Sequence, residues 1–558
     1  MRISPKWGWF LAFTAVFAVL AGYVFWGCWA TSVAFVSPDD GVSFLTSYGD
    51  ILTQWWNGFL TSGRIEPTDV LWSGLLGSPL FCRELKYAAA VYCAALGMAY
   101  FLRGRGLSLL AAYGAGLLLA FSGYWLTLFS AGHGGWFIWM TYGVFAFGLI
   151  DRAVERGSLR HWLALGAVVA WGSFYQADLW LIFTEFTGVY FLFRVAMARP
   201  AWKNLAKGVA SAGVACALVG APGFYEALTG SLKGRSTQIE ESKGTELAGG
   251  ATDDAEAKWV FATNWSLPPG ETAEFFCSRL NGDTSCPLTL SVNRAKGTRQ
   301  YTGALGRPLN AKTGNYRQHS LYVGWVTCLL ALAGVAGAFL CRGRETRDIR
   351  IFVFFFAAST VVFWLFSLGR NCEIVYRLVF ALPFGDYLRA PVKWHHLTEF
   401  CICVLAGCGI GFIWRRIDAL VADGAKIAKP LKFALAAFIL LGAFDLAGEA
   451  RRFCAPIDYS RAINARCSSQ LTALPRQQFY DPRVAEMVKK GMIVSVAAWL
   501  GYQDAYLVQL LEPLKPPVPA KPNPLPLALG IVSVLSALGI VAVCFVGAIR
   551  RRRMNGKS

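Results

Sequence analysis

Long apolar runs separated by short basic clusters constrain this chain more than any other feature. The first run, 7–29, exceeds the roughly 20 apolar residues that cross about 30 Å of hydrocarbon. It is also too long for the apolar part of a signal peptide and is followed by no cleavage site, so we predict a retained helix. Hydrophobic residues make up 55% of the 558 residues and charged residues only 16%. The pattern predicts an all-α polytopic membrane protein rather than a soluble protein of several domains.

About twelve membrane spans are predicted, because the apolar runs recur and the basic clusters between them then fall on one side. The predicted spans are 7–29, 86–102, 107–129, 136–150, 161–175, 179–195, 205–223, 320–341, 351–368, 397–413, 431–446 and 527–549. The positive-inside rule makes the basic loops cytoplasmic, which places both termini in the cytoplasm. This topology explains much of the net charge of +19. Nucleic-acid binding is not predicted, since no basic patch with interleaved aromatics lies apart from a helix end.

The polar segments between the spans divide the chain into five parts. These are an N-terminal transmembrane module, 1–223, with a first outer loop, 30–86; an extracytoplasmic loop or small domain, 224–318; a second transmembrane module, 319–447, with an outer loop, 370–394; an extracytoplasmic segment with a proline-rich linker, 448–524; and a last helix with a basic cytoplasmic tail, 525–558. Within the first outer loop, an amphipathic stretch at 44–60 is expected to lie in the membrane interface.

Most of the fifteen cysteines lie inside apolar spans, where cysteine behaves as a small hydrophobic residue. Two pairs lie in predicted outer segments. Cys277 with Cys286, and Cys454 with Cys467, are each close enough in sequence for a local disulfide in an oxidising compartment. The sequence leaves open whether either pair is oxidised, and no cysteine spacing suits a zinc site.

Asp39 and Asp40 are the predicted catalytic residues. They follow the first span in the sequence Ser-Pro-Asp-Asp-Gly, and carboxylates there are costly to hold near lipid, so they must face water or a polar cavity. A carboxylate at this place would act as a general base or hold a divalent cation such as Mg or Mn. The alternative is a turn with a helix cap, which Asp and Pro also favour.

The outer loop before the tenth span concentrates positive charge. Arg389, Lys393 and His396 are predicted to bind a lipid phosphate, because arginine offers a bidentate fork and lysine a point charge. Arg389 and Lys393 could instead be interfacial anchors or partners of Asp386. One of the adjacent residues His395 and His396 could simply be packed in the protein interior.

Five further outer-facing groups are predicted to line the cavity on the acceptor side. They are His133, Asp178, Gln176, Asp386 and Arg377. The alternatives are a helix-breaking loop residue for His133, and capping of the sixth helix for Gln176 and Asp178.

Several short stretches of the chain match a known family. They are 107–113 running through 120–123 to Gly132 and His133, 173–176, 265–268, 322–324, and 382–391 leading into 405–407. In these stretches the chain resembles the YfhO-type bacterial membrane proteins, placed in the GT-C superfamily of polytopic glycosyltransferases. The resemblance implies a GT-C architecture, a catalytic carboxylate in the first outer loop that matches Asp39 or Asp40, and a polyprenyl-phosphate sugar as donor. The family's Leu-x-Arg-x-Pro element matches Arg389 and Pro391. Asp39 and Asp40 are adjacent and do not form a spaced acidic pair, so the resemblance leaves open whether the activity depends on a metal ion.

The predicted function is an integral-membrane glycosyltransferase of the bacterial plasma membrane with an extracytoplasmic active face. It would transfer a sugar from a polyprenyl-phosphate donor to a cell-envelope glycan or lipid acceptor, with membrane lipids around it. One alternative is a transporter or flippase of lipid-linked glycans, and another is a non-catalytic scaffold for envelope assembly. The spans carry few charges, with Glu185 and Asp445 as the notable exceptions. This distribution favours a reaction at the membrane surface over transport across the membrane.

Overall fold

The structure, a computed structural model, is described over most of the chain. The described residues are 5–29, 33–35, 51–64, 79–128, 133–175, 177–243, 252–282, 301–305, 319–341, 343, 346–422, 425–454, 456–458 and 520–555. Asp39, Asp40 and Gln176 lie outside them.

Helices make up nearly all of the regular structure in the described residues. The helices up to residue 226 are α1 Pro5–Val24, α2 Ile51–Ser62, α3 Pro79–Gly104, α4 Leu109–Ala120, α5 Gly123–Leu126, α6 Gly134–Arg156, α7 Leu159–Trp171, α8 Ala177–Ala198 and α9 Trp202–Glu226. The later helices are α10 Leu232–Ser242, α11 Asp254–Thr263, α12 Trp325–Leu340, α13 Arg347–Ser367, α14 Glu373–Phe380, α15 His395–Ala422, α16 Ala428–Arg452 and α17 Pro524–Asn555. A π-helical turn, 227–231, joins α9 to α10. Two strands, β1 Val33–Phe35 and β2 Pro456–Asp458, pair antiparallel.

Eight of the described helices are long and apolar enough to cross a membrane: α1, α3, α8, α9, α13, α15, α16 and α17. The apolar helices α4 and α12 are shorter. Each predicted span contains a described helix. The chain is therefore helical with several membrane-spanning candidates, as the apolar runs predict, whereas the count of twelve crossings stays a prediction.

Burial separates a central helix from a peripheral one. In the apolar segment that contains α15, 83% of the residues are buried, and α15 packs against α4, α12 and α13. In α17 only 11% are buried, and Leu535, Val541 and Phe545 are each more than 60% exposed. A continuous apolar surface of this kind needs a hydrocarbon environment. The bundle is thus built around α15 and presents α17 to lipid.

The described part of the predicted amphipathic stretch, from residue 51, lies in α2, which packs against the beginning of α17. The Asn523 amide donates to the Leu60 carbonyl over 2.9 Å, and the Ala520 amide donates to Asn57 Oδ1 over 3.0 Å. Pro524 and Pro526 lie in the first turn of α17 rather than in an extended linker, because proline is tolerated where a helix amide has no partner.

Glycine permits the close approach of α12 and α15. A Cβ at Gly409 would overlap the carbonyl oxygen of Leu330, and a Cβ at Gly334 would overlap that of Leu405. The two helix backbones therefore touch at these positions, as small residues allow in membrane bundles.

We expect Gly409→Ala to destabilise the protein by about 1–3 kcal/mol, because the added methyl must push two packed backbones apart. The midpoint of thermal unfolding in detergent measures the effect. Gly539→Ala on α17 is the matched control, since a Cβ there meets nothing within 4 Å. Equal midpoints for the two variants would show that α12 and α15 are not in contact at Gly409.

A buried ionic cluster lies where three predicted basic helix ends meet. Asp151 Oδ1 accepts hydrogen bonds from the Tyr190 hydroxyl over 2.7 Å and from Arg194 Nε over 2.5 Å, and Arg105 lies 3.9 Å away. Asp151 is 1% exposed. The structure thus brings together helix ends that the positive-inside rule assigns to one side of the membrane.

Candidate functional site

A buried ion pair joins the beginning of α8 to the segment that enters α15. Lys393 lies in a 3-10 turn, 391–394, which Pro391 begins, and its Nζ donates to Asp178 Oδ2. Asp178 lies in the first turn of α8, where its Oδ1 accepts from the Leu179 amide over 2.9 Å. The two side chains are 4% and 5% exposed. Asp178 therefore does more than cap a helix, and Lys393 pairs with Asp178 rather than with Asp386.

An apolar cavity of about 640 Å³ lies against this ion pair. Its wall is formed by residues on α8 and just before it, by residues between 224 and 234 across the π-helical turn, and by residues before α15. These are Tyr175, Asp178, Trp180, Leu181, Phe224, Ala227, Leu228, Ser231, Leu232, Gly234, Phe384, Tyr387 and Leu388. Among the described residues that line it, Asp178 is the one charged side chain. A mostly apolar cavity with a single charged group at its wall is typical of small-molecule binding sites.

Tyr376 on α14 is a buried neutral group close to Asp178. Burial raises the pKa of its hydroxyl, and the negative charge of Asp178 raises it further. The neighbouring Trp394 lowers that pKa, but burial is the largest effect, so Tyr376 stays protonated at neutral pH and remains a hydrogen-bond donor.

Four of the five histidines of the chain lie around Tyr124, and we refer to His133, His319, His395 and His396 as the histidine cluster. The Tyr124 ring centroid is 4.7 Å from that of His319, 5.2 Å from His395 and 4.3 Å from His396. His133 Nδ1 lies 3.3 Å from His319 Nε2. Residues from predicted outer loops far apart in sequence therefore meet at one place.

Glu399 extends this cluster one helical turn into α15. Its Oε1 accepts from the Ser122 hydroxyl over 2.6 Å and from the Tyr124 amide over 2.9 Å. His395 Nε2 lies 4.0 Å from the same oxygen. Glu399 is fully buried, and among the described residues its Oε2 and both ring nitrogens of His396 have no hydrogen-bond partner. Buried polar atoms without partners are unusual and mark a place where water or a ligand is expected.

Sequence reasoning missed Glu399, Tyr124 and His319. The signal for Glu399 was available, because an ionisable residue within the predicted span 397–413 is a candidate functional residue by default. The predicted spans therefore carry Glu399 in addition to Glu185 and Asp445. The roles of Tyr124 and His319 depend on tertiary packing and carry no such signal.

The remaining predicted residues lie in different surroundings. Asp386 is half-buried in a 3-10 turn, 385–387, whose neighbours line the cavity. The guanidinium of Arg389 lies over the Phe261 ring, 5.3 Å from its centroid. Arg377 Nε donates to Glu373 over 2.9 Å and its guanidinium lies over Trp259, and its side chain is 62% exposed. The structure thus places Arg377 on an exposed face of α14, where Glu373 neutralises it.

Two features connect the ion pair to the histidine cluster. Lys393 lies in the 3-10 turn just before α15, three residues from His396 in the first turn of α15, and His396 is in contact with Tyr124. The apolar cavity, the Asp178–Lys393 pair and the histidine cluster therefore form one region with cationic, acidic and proton-carrying groups beside an apolar chamber. Within the described part of the chain, no three His, Cys, Asp or Glu side chains are placed to coordinate a metal ion together, and Asp39 and Asp40 lie outside that part.

Comparison with models of known protein families gives no match, and comparison with curated proteins gives none either. The function of this chain therefore has to be inferred from the chemistry of the site.

Proposed function

We propose that this protein is an integral-membrane glycosyltransferase of GT-C type, which transfers a sugar from a polyprenyl-phosphate donor to a cell-envelope glycan or lipid on the outer face of the bacterial plasma membrane. The observation that carries the proposal is the apolar cavity of about 640 Å³, whose wall includes Asp178, the partner of the buried Lys393. An isoprenoid chain needs an apolar chamber, and its phosphate needs cationic donors at the polar end of that chamber.

In the proposed reaction, Asp40 or Asp39 removes the proton from an acceptor hydroxyl. The acceptor oxygen forms a bond to the anomeric carbon of the donor sugar, and the bond from that carbon to the phosphate oxygen breaks. Lys393 shares its hydrogen bonds between Asp178 and the departing polyprenyl phosphate, and Arg389 adds a second cation. In this proposal His396 belongs with Lys393 and Arg389 to the lipid-phosphate site, and His133 and Asp386 line the acceptor side.

The decisive experiment uses purified protein in lipid vesicles with a radiolabelled polyprenyl-phosphate sugar and an extract of envelope glycans and lipids. Label on a new acceptor supports the transferase. Asp40→Asn is expected to abolish transfer while the protein remains inserted in the membrane, because an amide neither accepts the proton nor holds a cation. Asp418→Asn is the control for the same chemical change, since Asp418 forms an exposed pair with Lys432. Full transfer by Asp40→Asn and by Asp39→Asn would contradict the catalytic assignment.

A flippase of lipid-linked glycans is the second candidate. Glu399 and His396, with unpartnered polar atoms in the most buried helix, favour it, because ionisable residues inside a bundle often line a transport path. The same vesicles distinguish the two functions, since a flippase would move label between leaflets without creating a labelled acceptor. A scaffold for envelope assembly would do neither.

A further inference from the structure

Two cysteines far apart in sequence meet at the end of the bundle where α1 and α16 finish. The Sγ atoms of Cys28 and Cys454 lie 3.6 Å apart, although the residues are 426 positions apart in the chain. Cys28 is 0% exposed and Cys454 is 4% exposed. Neither spacing nor motif in the sequence connects these two residues.

Contacts on both sides of the cysteines hold the same two segments together. Before them, Arg451 Nη1 donates to the Tyr23 carbonyl over 3.3 Å, and its guanidinium lies 4.6 Å from the Tyr23 ring centroid. After them, β1 pairs with β2, so that Phe35 is opposite Pro456 and Val33 is opposite Asp458. The cysteine pair therefore lies between two sets of contacts that join the same two segments.

We propose that Cys28 and Cys454 form a disulfide in the mature protein. Bonded sulfurs lie about 2.05 Å apart, so the two Sγ atoms must approach further within a junction whose flanking segments already pair. The bond would form by exchange with a protein disulfide of an envelope oxidoreductase. A cysteine thiolate attacks that disulfide, the second cysteine displaces the oxidoreductase from the mixed disulfide, and the oxidoreductase leaves as a dithiol.

This disulfide rests on the outer placement in the proposed function, because thiols facing the cytoplasm stay reduced. It would bind the beginning of the first outer loop, which carries Asp39 and Asp40, to the beginning of the outer segment 448–524. It also replaces the local pairing of Cys454 with Cys467 as the expected state of Cys454. Cys286 and Cys467, the sequence-predicted partners of Cys277 and Cys454, lie outside the described residues.

Sequential alkylation of the full-length protein tests the proposal. Membranes are denatured in N-ethylmaleimide, which modifies thiols, then reduced and treated with a heavier maleimide, and the peptides are identified by mass spectrometry. We expect the heavier label on Cys28 and Cys454, and in an unreduced digest a linked peptide lighter by two hydrogens than the sum of its parts. N-ethylmaleimide on Cys28, or a peptide linking Cys454 to Cys467, would overturn the proposal.

Two variants make the result specific. In Cys28→Ser, Cys454 is expected to carry N-ethylmaleimide, whereas Cys216→Ser on α9 is expected to leave the linked peptide unchanged.

In Lys521→Cys, labelling of intact cells by a membrane-impermeant maleimide reports the side on which the exposed Lys521 position lies. A reduced Cys28 together with an externally labelled position 521 overturns the disulfide and leaves the proposed function standing. A reduced Cys28 with position 521 labelled only from inside overturns both.

Discussion

Replacing Lys393 with methionine is expected to destabilise the protein by about 3–5 kcal/mol and to abolish sugar transfer. The substitution removes the partner of a 5%-exposed Asp178 and leaves a carboxylate without its counter-ion in a region of low dielectric constant. It also removes the cation that pairs with Asp178 at the wall of the apolar cavity. The midpoint of thermal unfolding in detergent and the transfer assay in vesicles measure the two effects separately.

The double variant Asp178→Leu/Lys393→Met separates stability from chemistry. Replacing both members of a buried ion pair by apolar side chains is often close to neutral, so the double variant is expected to recover most of the lost stability. It should not recover transfer, because the cation is still missing. Lys432→Met is the control: its partner Asp418 is half exposed, and a surface pair of this kind contributes about 0–1 kcal/mol. Transfer by the double variant would remove the ion pair from the proposed phosphate site.

The positions of the membrane helices could be predicted because a long apolar run is a local property of the sequence. Which helices pack against one another could not be predicted, because the apolar runs have similar compositions. The central position of α15 and its backbone contact with α12 follow from Gly334 and Gly409, which have no periodic signal. The helices α10 and α11 were also missed within 224–318. That segment has no apolar run, and α11 begins instead at Asp253, whose side chain accepts from the Ala255 and Glu256 amides over 3.0 and 3.1 Å.

Topology predicts which residues share a membrane face, and the roles of the predicted site residues stay predictions. His133, Asp178, Lys393 and His396 come from three predicted outer loops, and the structure brings them into one region. The specific pairing of Lys393 with Asp178 depends on the path of the chain from 390 to 394, which begins with Ala390 at a positive φ of 63°. Arg377 was a different case, because Glu373 four residues earlier already offered it a partner on the same helix face. The meeting of Asp39 and Asp40 with these residues stays a prediction.

Glu399 is expected to act as a positioning residue, and two substitutions of different chemistry test this. Glu399→Met removes the acceptor of the Ser122 hydroxyl and the Tyr124 amide, both of which are buried, so we expect a loss of about 2 kcal/mol or more. Tyr124 packs against three members of the histidine cluster, so its displacement should also reduce transfer. Glu399→Gln keeps a carbonyl oxygen at the same place and should retain both stability and transfer.

The glutamine variant decides between two roles for the carboxyl group. If Glu399 acts through the hydrogen bonds that hold Ser122 and Tyr124, the amide rescues what methionine loses, because both donors find an acceptor again. If Glu399 itself carries a proton during the reaction or along a transport path, the amide fails although the protein is folded. A glutamine variant with a wild-type midpoint of thermal unfolding and no transfer would therefore make Glu399 a proton-carrying residue. That result would favour the flippase as the function of α15.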